Sequence, residues 1–186
     1  MATLVTGGTG FIGSNIVKAL SQHGHKVVCF DLVSPDDLVK RYLSPWAENV
    51  TYVQGNLLKQ EELEVVTKYG ISKIVHAAVF TGILPEIEAG QGSSIVDINV
   101  MGTTNVLELA SKVLPERFLY VSSGAVYGLG RSSDEVLHEE SPLYPQSLYA
   151  ITKYTSELLT RRYAELHDFQ SVSVRLGGPY GPMERV

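Results

Sequence analysis

Hydrophobic positions along the chain alternate between two patterns. Short apolar runs, "TLVT", "KVVCFD", "VTYVQG", "KIVHAAV", "RFLYVSS" and "SVSVRLGG", read as buried strands. Between them lie segments of helical period, such as "FIGSNIVKALSQHG", "QEELEVVTKYG" and "SIVDINVMGTTNVLELASKV". Ile12, Ile16, Ala19 and Leu20 form one apolar stripe, and Ile95, Ile98, Gly102, Val106, Leu109 and Val113 form another. Both stripes are expected to face a sheet. Strand and helix in repeated alternation predict an α/β fold, a doubly wound parallel sheet with helices on both faces, as one domain over residues 1–186. Two segments read as loops after strands, "TGILPEIEAGQGSS" and "GLGRSSDEVLHEESPLYPQS". Loops at the carboxyl ends of parallel strands line the ligand crevice of such a sheet.

The first strand runs into "TGGTGFIGSNIV". Gly8, Gly10 and Gly13 match G-x-G-x-x-G, and Gly7, Gly10 and Gly13 match the related G-x-x-G-x-x-G spacing. Glycine lets backbone approach a pyrophosphate, and the helix that follows points its unpaired N–H groups and positive dipole end at the phosphates. The second strand ends in Asp31, about 20 residues past the glycines, where a carboxylate reaches the adenosine ribose. Asp31 would repel a 2′-phosphate, and Leu32 and Val33 beside it supply no cation. NAD is therefore expected over NADP.

Composition narrows the partners. Of 186 residues, 44% are hydrophobic and 19% charged, enough to bury a core. The net charge of -5 speaks against a nucleic-acid footprint or attraction to an anionic membrane. The single cysteine, Cys29, sits in an apolar run and reads as a buried, inert thiol in a reducing, cytoplasmic compartment. The opening residues lack a basic segment followed by a long apolar one, and no apolar run is long enough to span a bilayer, so neither secretion nor membrane insertion is expected. His76 reads as packing within "VHAAV", since no second His or Cys stands at ligand spacing and no metal is expected.

"SLYAITKYTSE" places Tyr149 and Lys153 one helical turn apart. By itself that spacing is produced by any helix rich in Tyr and Lys. A tyrosine hydroxyl is a poor base at neutral pH unless a cation favours the phenolate, and Lys153 can supply that charge. Ser122 and Ser123 end the strand "RFLYVSS", and strand alternation sends their side chains to opposite sides.

Taken together, "TGGTGFIG", "QGNLL", "VHAAV", "NVMGTTNVLE", "YVSSGAVYG", "YAITK" and "RLGGPYGP", in that order, resemble the extended short-chain dehydrogenase/reductase superfamily, in particular nucleotide-sugar epimerases of the UDP-glucose 4-epimerase type. The resemblance implies a Rossmann fold with bound NAD, the pyrophosphate at Phe11 and Ile12, adenine flanked by Asn56 and Leu57, and the nicotinamide half bordered by Ala77, Ala78 and Val79. It selects Ser123 as the hydroxyl that meets the reacting sugar oxygen, Tyr149 as the base, and Lys153 as holder of the nicotinamide ribose. For Asn99 it implies a place among the cofactor-binding residues with a structural and proton-relay role, beside the plain alternative of helix–backbone bonding. Asn56 stands where the family usually has Asp, and Gly177 and Gly178 where sugar epimerases commonly have Phe and Asn. A small-molecule partner, a nucleotide sugar, and a homodimer are implied as well. Most substrate contacts are expected beyond Val186, in a smaller domain of which little is present.

Related 4,6-dehydratases place an Asp-Glu pair directly after the catalytic hydroxyl, because eliminating water needs an added acid and base. Here those positions hold Gly124 and Ala125, which fits epimerases and simple alcohol dehydrogenases. Dinucleotide-binding regulators without turnover form a further class, but they typically lack the Tyr and Lys. The Asp31 reading is checked by calorimetric titration of the wild type and Asp31→Ala with both cofactors. The wild type is expected to bind NAD in preference to NADP and the variant to narrow the gap; equal wild-type affinities would refute it.

Overall fold

The computed structural model describes residues 1–128 and 136–184. Among the described residues six strands form one parallel sheet: β1 (Ala2–Thr6), β2 (Val27–Asp31), β3 (Val50–Gln54), β4 (Ile71–His76), β5 (Arg117–Ser123) and β6 (Ser171–Leu176). Their spatial order is β3-β2-β1-β4-β5-β6, so the chain reverses direction across the sheet between β1 and β4. This is the doubly wound Rossmann arrangement, and ligands bind at that reversal.

Alternation along each strand feeds two apolar layers. Leu4, Val28, Phe30, Ile74, Phe118 and Tyr120 join Leu63, Val66, Val106, Leu107 and Ala164 on one face. That face is covered by α3 (Gln60–Glu64), α6 (Gly102–Val113) and α7 (Leu148–His167). Val5, Val27 and Cys29 join Val17, Val39 and Leu43 on the other, under α1 (Phe11–Gln22) and α2 (Asp37–Leu43). α2 has a local cause, because the Asp36 side chain caps it by accepting from the Val39 N–H at 2.9 Å.

Three expectations need correction. The stripe of α1 is rotated: Val17 is fully buried while Ile12, Ile16 and Leu20 are half-buried and Ala19 is exposed. Glycine and serine at Gly13 and Ser14 let the helix approach the sheet on that side, so Ile12, Ile16 and Ala19 border an apolar groove with Val121, Val174 and Leu176. "TGILPEIEAGQGSS" is not a plain loop but carries α4 (Pro85–Gly90) and the start of α5 (Gly92–Val96). Pro85 fits the first helical turn, and Glu86 and Glu88 complement the dipole there. Finally, the helix over residues 92–113 is not uniform: a π-helical turn at Asp97–Met101 joins α5 to α6. Within the second loop-rich segment, residues 129–135 lie outside the described residues.

Of the predicted stripe, Val106 and Leu109 join the sheet-facing layer with Val113 packed against it, and Ile95 and Gly102 are buried, whereas Ile98 is half-buried and lines a cleft at the carboxyl ends of the strands. Leu107→Ala is expected to cost about 2–5 kcal/mol because it opens a cavity in a fully buried layer. Val172→Ala, on a residue 51% exposed, should stay within about 0.5 kcal/mol. Urea denaturation of the two variants distinguishes them, and equal losses would contradict this layering.

Candidate functional site

A cleft of about 1400 Å³ runs along the carboxyl ends of the strands. Its floor is the glycine turn between β1 and α1. Gly7 has φ +68, and a Cβ there would stand 2.6 Å from the Ala78 backbone at the end of β4. A Cβ on Gly13 would fall 2.0 Å from the Gly7 carbonyl oxygen. Both positions therefore require glycine. Gly10 is the N-cap of α1, whose first turn carries no acid, so its N–H groups and dipole meet the cleft undiminished. Gly7, Gly10, Phe11, Ile12 and Gly13 all line the cleft, and the turn fits the pyrophosphate of a dinucleotide.

Asp31, Asn56 and Leu57 line one end of the cleft, and Ala77, Ala78 and Val79 line its middle. The Asp31 carboxylate accepts from the Thr9 hydroxyl at 2.7 Å and the Thr9 N–H at 3.0 Å. The Asn56 side-chain oxygen accepts the Leu58 N–H at 2.9 Å, a local turn that leaves its NH₂ as a donor. Asn99 is buried and does not line the cleft; it accepts from the Phe80 N–H at 2.8 Å and donates to the Phe80 carbonyl at 3.1 Å and to Thr152. It thus fastens the segment after β4 to the π-helical turn and to α7, and its own carbonyl accepts from Thr103 and Ser156.

At the other end Ser123, Gly124, Ala125 and Tyr149 line the cleft together. Ser123 ends β5, and its Oγ accepts the Ala125 N–H at 3.1 Å. Ser122 faces the opposite way and donates to the buried Glu157 carboxylate. Tyr149 stands in the first turn of α7, whose N-cap Ser147 accepts from Ala150. Burial pushes the Tyr149 phenol above its ordinary value, and a hydrogen bond from Ser123 pulls it back. Among the cleft residues that sequence reasoning missed are Thr9, Ser147 and Glu88. Thr9 occupies a variable place within the glycine motif, Ser147 carries only a capping signal, and Glu88, which accepts the Leu148 N–H, sits in a segment read as a loop.

Lys153 lies one turn beyond Tyr149, but its ammonium is buried beneath β5. It donates to the Val121 carbonyl and lies 4.4 Å from the centre of the Tyr120 ring. Burial lowers Lys153 to about 7, against the Glu157 carboxylate, which raises it. Nearby, His76 is clasped by Thr6 at 2.6 Å and Thr103 at 2.9 Å. Burial first, and the Lys153 charge second, lower it to about 3, so it stays neutral and serves as packing. Cys29 is buried as expected, its thiol pushed up to about 12 by burial and by Asp31. Among the described residues no group of His, Cys, Asp and Glu is placed to hold a metal, and no helix is long and apolar enough to cross a membrane.

The lowered Lys153 has a consequence for stability. Between about 7 folded and about 10.5 unfolded, the unfolded chain holds a proton that the folded chain has released. Stability should therefore rise with pH from about 7 to 8, with a slope of at most about 1.4 kcal/mol per unit, before the Cys29 thiol of the unfolded chain, which the fold keeps protonated, begins to titrate and opposes the rise. Chemical denaturation across that window should show the rise in the wild type and its loss in Lys153→Met. A flat wild-type profile would contradict the burial of this charge.

Comparison with known proteins follows the same geometry. The family model described as NAD dependent epimerase/dehydratase family matches residues 3–186. A dTDP-glucose 4,6-dehydratase of Streptomyces niveus is 34% identical over 192 residues, covering 99% of this chain and 55% of the relative. The crystal structure of a dTDP-glucose 4,6-dehydratase from Bacillus anthracis in complex with NAD is similar at a TM-score of 0.83 and 28% identity, over 99% of this chain and 57% of that one. A Thermus thermophilus UDP-glucose 4-epimerase in complex with NAD is similar at a TM-score of 0.82 and 27% identity, over 94% of this chain and 54% of that one. The chain spans a little over half the length of these relatives. With its glycine cradle, its strand order and a family match across nearly every residue, the chain belongs to the NAD-dependent epimerase/dehydratase family of the extended short-chain dehydrogenases.

Proposed function

We propose that this chain is the cofactor and chemistry portion of a nucleotide-sugar epimerase that works by transient oxidation to a keto sugar. The observation that carries the reading is that Ser123 and Tyr149 line the same cleft, whose other end is a dinucleotide cradle. NAD, when bound, supplies a reversible hydride acceptor. Gly7, Gly10, Phe11, Ile12 and Gly13 hold its pyrophosphate, Asp31 its adenosine ribose, Asn56 and Leu57 its adenine, and Ala77, Ala78 and Val79 its nicotinamide half. Asn99 contributes by fixing Phe80, next to that wall.

Tyr149 Oη takes the proton of the reacting sugar hydroxyl and later returns it. The Ala125 N–H occupies one acceptor site on Ser123 Oγ, and the hydroxyl's single proton remains to be donated to the sugar oxygen. Lys153 supplies the positive charge that favours the phenolate, while the ribose contact implied by the family's pattern would require its ammonium, which donates to the Val121 carbonyl and does not line the cleft, to turn into the cleft. Its value of about 7 leaves it able to change charge near neutrality. Epimerase is favoured over dehydratase because Gly124 and Ala125 line the cleft where dehydratases carry an Asp-Glu pair. A dehydrogenase would share the first half-reaction and release NADH with its ketone.

The test is incubation with NAD and a panel of UDP- and dTDP-sugars, with mass and chromatographic analysis of products. An epimer of unchanged mass without NADH accumulation supports the proposal. A product lighter by one water assigns a dehydratase, accumulating NADH assigns a dehydrogenase, and no turnover in a full-length context with NAD bound assigns a binding module. Tyr149→Phe is expected to lower turnover by at least ~10²-fold while NAD affinity changes little. Lys153→Met should impair both, and a Tyr149→Phe protein keeping more than about a tenth of the rate would remove Tyr149 from its role.

A further inference from the structure

We propose that Thr9 is a positioning residue for cofactor choice: its hydroxyl and amide hold the Asp31 carboxylate in the orientation that accepts an adenosine ribose and refuses a 2′-phosphate. The proposal rests on the binding of NAD in the cleft and goes beyond it, because the glycine motif leaves the residue between Gly8 and Gly10 unspecified.

The geometry is one-sided. Both Thr9 donors go to the same Asp31 oxygen, Oδ2, the hydroxyl at 2.7 Å and the N–H at 3.0 Å. Bonds to a charged acceptor are the strong class, and two of them on one oxygen fix the carboxylate's rotation. Among the described residues the other oxygen, Oδ1, accepts only from the Val33 N–H, at the long distance of 3.5 Å. It is therefore the oxygen left to accept from a ribose hydroxyl. Thr9 is itself only 6% exposed and β-branched, so its hydroxyl has little choice of direction. The hold ties Asp31, at the end of β2, to the same turn that cradles the pyrophosphate. Ribose and phosphate subsites thereby share one rigid frame.

The surroundings reinforce the selection. Gln54 donates to the Leu32 carbonyl at 3.1 Å and accepts from Ser34 at 2.7 Å, which fixes the segment after Asp31. Asp36 lines this end of the cleft as well, and among the described residues no lysine or arginine lines it. A 2′-phosphate would meet the Asp31 carboxylate there. A loosened Asp31 could swing toward solvent and relieve part of that repulsion. A held one cannot.

Calorimetric titration of the full chain with NAD and NADP tests this on Thr9→Val, which removes only the hydroxyl, and on Thr9→Ser, which restores it. Thr9→Val should lower the NAD-to-NADP affinity ratio by about fivefold or more, while Thr9→Ser stays within about twofold of wild type. Thr9→Ala gives the same reading should valine disturb the turn, as judged by thermal melting. In an Asp31→Ala background, Thr9→Val should change the ratio by less than about twofold, since the group it positions is gone. A smaller fall in the single variants, an equal fall without Asp31, or no rescue by serine would overturn the role. A wild type that binds NAD without preferring it would refute the proposal and the Asp31 reading together; one that binds no NAD would refute the cofactor assignment as well.

Discussion

Close approach of backbone at the glycine turn is the constraint on which the rest of the molecule depends. The Gly7 N–H donates to the Phe30 carbonyl at the end of β2, while the Thr6 carbonyl accepts from Ala77 at the end of β4. One residue pair thus stitches the end of β1 to both neighbours where the strand order reverses. Gly13 then brings α1 to within contact of the Gly7 carbonyl, and a Cβ on Gly8 would meet the Cys29 sulfur at 2.5 Å. No side chain fits any of these gaps. The anion-binding end of α1 is consequently placed by packing, independent of any loop's flexibility.

Behind the cleft the interior is unusually polar, and every such group needs a partner to be tolerated. Thr6, His76 and Thr103 form a chain from β1 to α6, and Asn99 with Ser156 extends it to α7. Glu157 receives Ser122 and a two-pronged bond from Arg175, whose remaining nitrogen reaches the Tyr127 hydroxyl and the Glu139 carbonyl. This buried ion pair ties α7 to the ends of β5 and β6. Removing one partner would leave a buried charge uncompensated, so its value lies in fixing where the helix bearing Tyr149 meets the strand bearing Ser123. The same carboxylate supports the charge of Lys153, one turn away on α7.

Chemistry in the cleft follows from this separation of tasks. In the proposed reaction phosphate would be met by N–H groups and a helix dipole, ribose by the carboxylate that Thr9 holds, and the reacting hydroxyl by Ser123 and Tyr149. Among the described residues no lysine or arginine lines the cleft, which favours a ligand whose charges are bound by backbone. The Tyr149 phenol, raised by its burial, needs its activating charge from outside the ring's own contacts. That need gives the buried Lys153 its place in the proposed reaction.

The sequence alone determined the strand positions, because buried parallel strands read as unbroken apolar runs, and it determined the glycine cradle, because only glycine tolerates that approach. Asp31 was legible for the same local reason, as a carboxylate at a strand end a fixed distance from the turn. Tyr149 and Lys153 were legible as a pair but not in their directions. Helical spacing places two side chains on one face, while the packing of α7 against β5 sends the phenol to the cleft and the ammonium beneath the sheet. The α1 stripe was misread because a period reports which residues share a face and not how close the helix lies; small residues at Gly13 and Ser14 decided that. Thr9 and the Glu157–Arg175 pair had no local signal at all. Their roles arise from contacts across 22 and 18 residues of sequence, distances that only the folded chain brings to hydrogen-bond length.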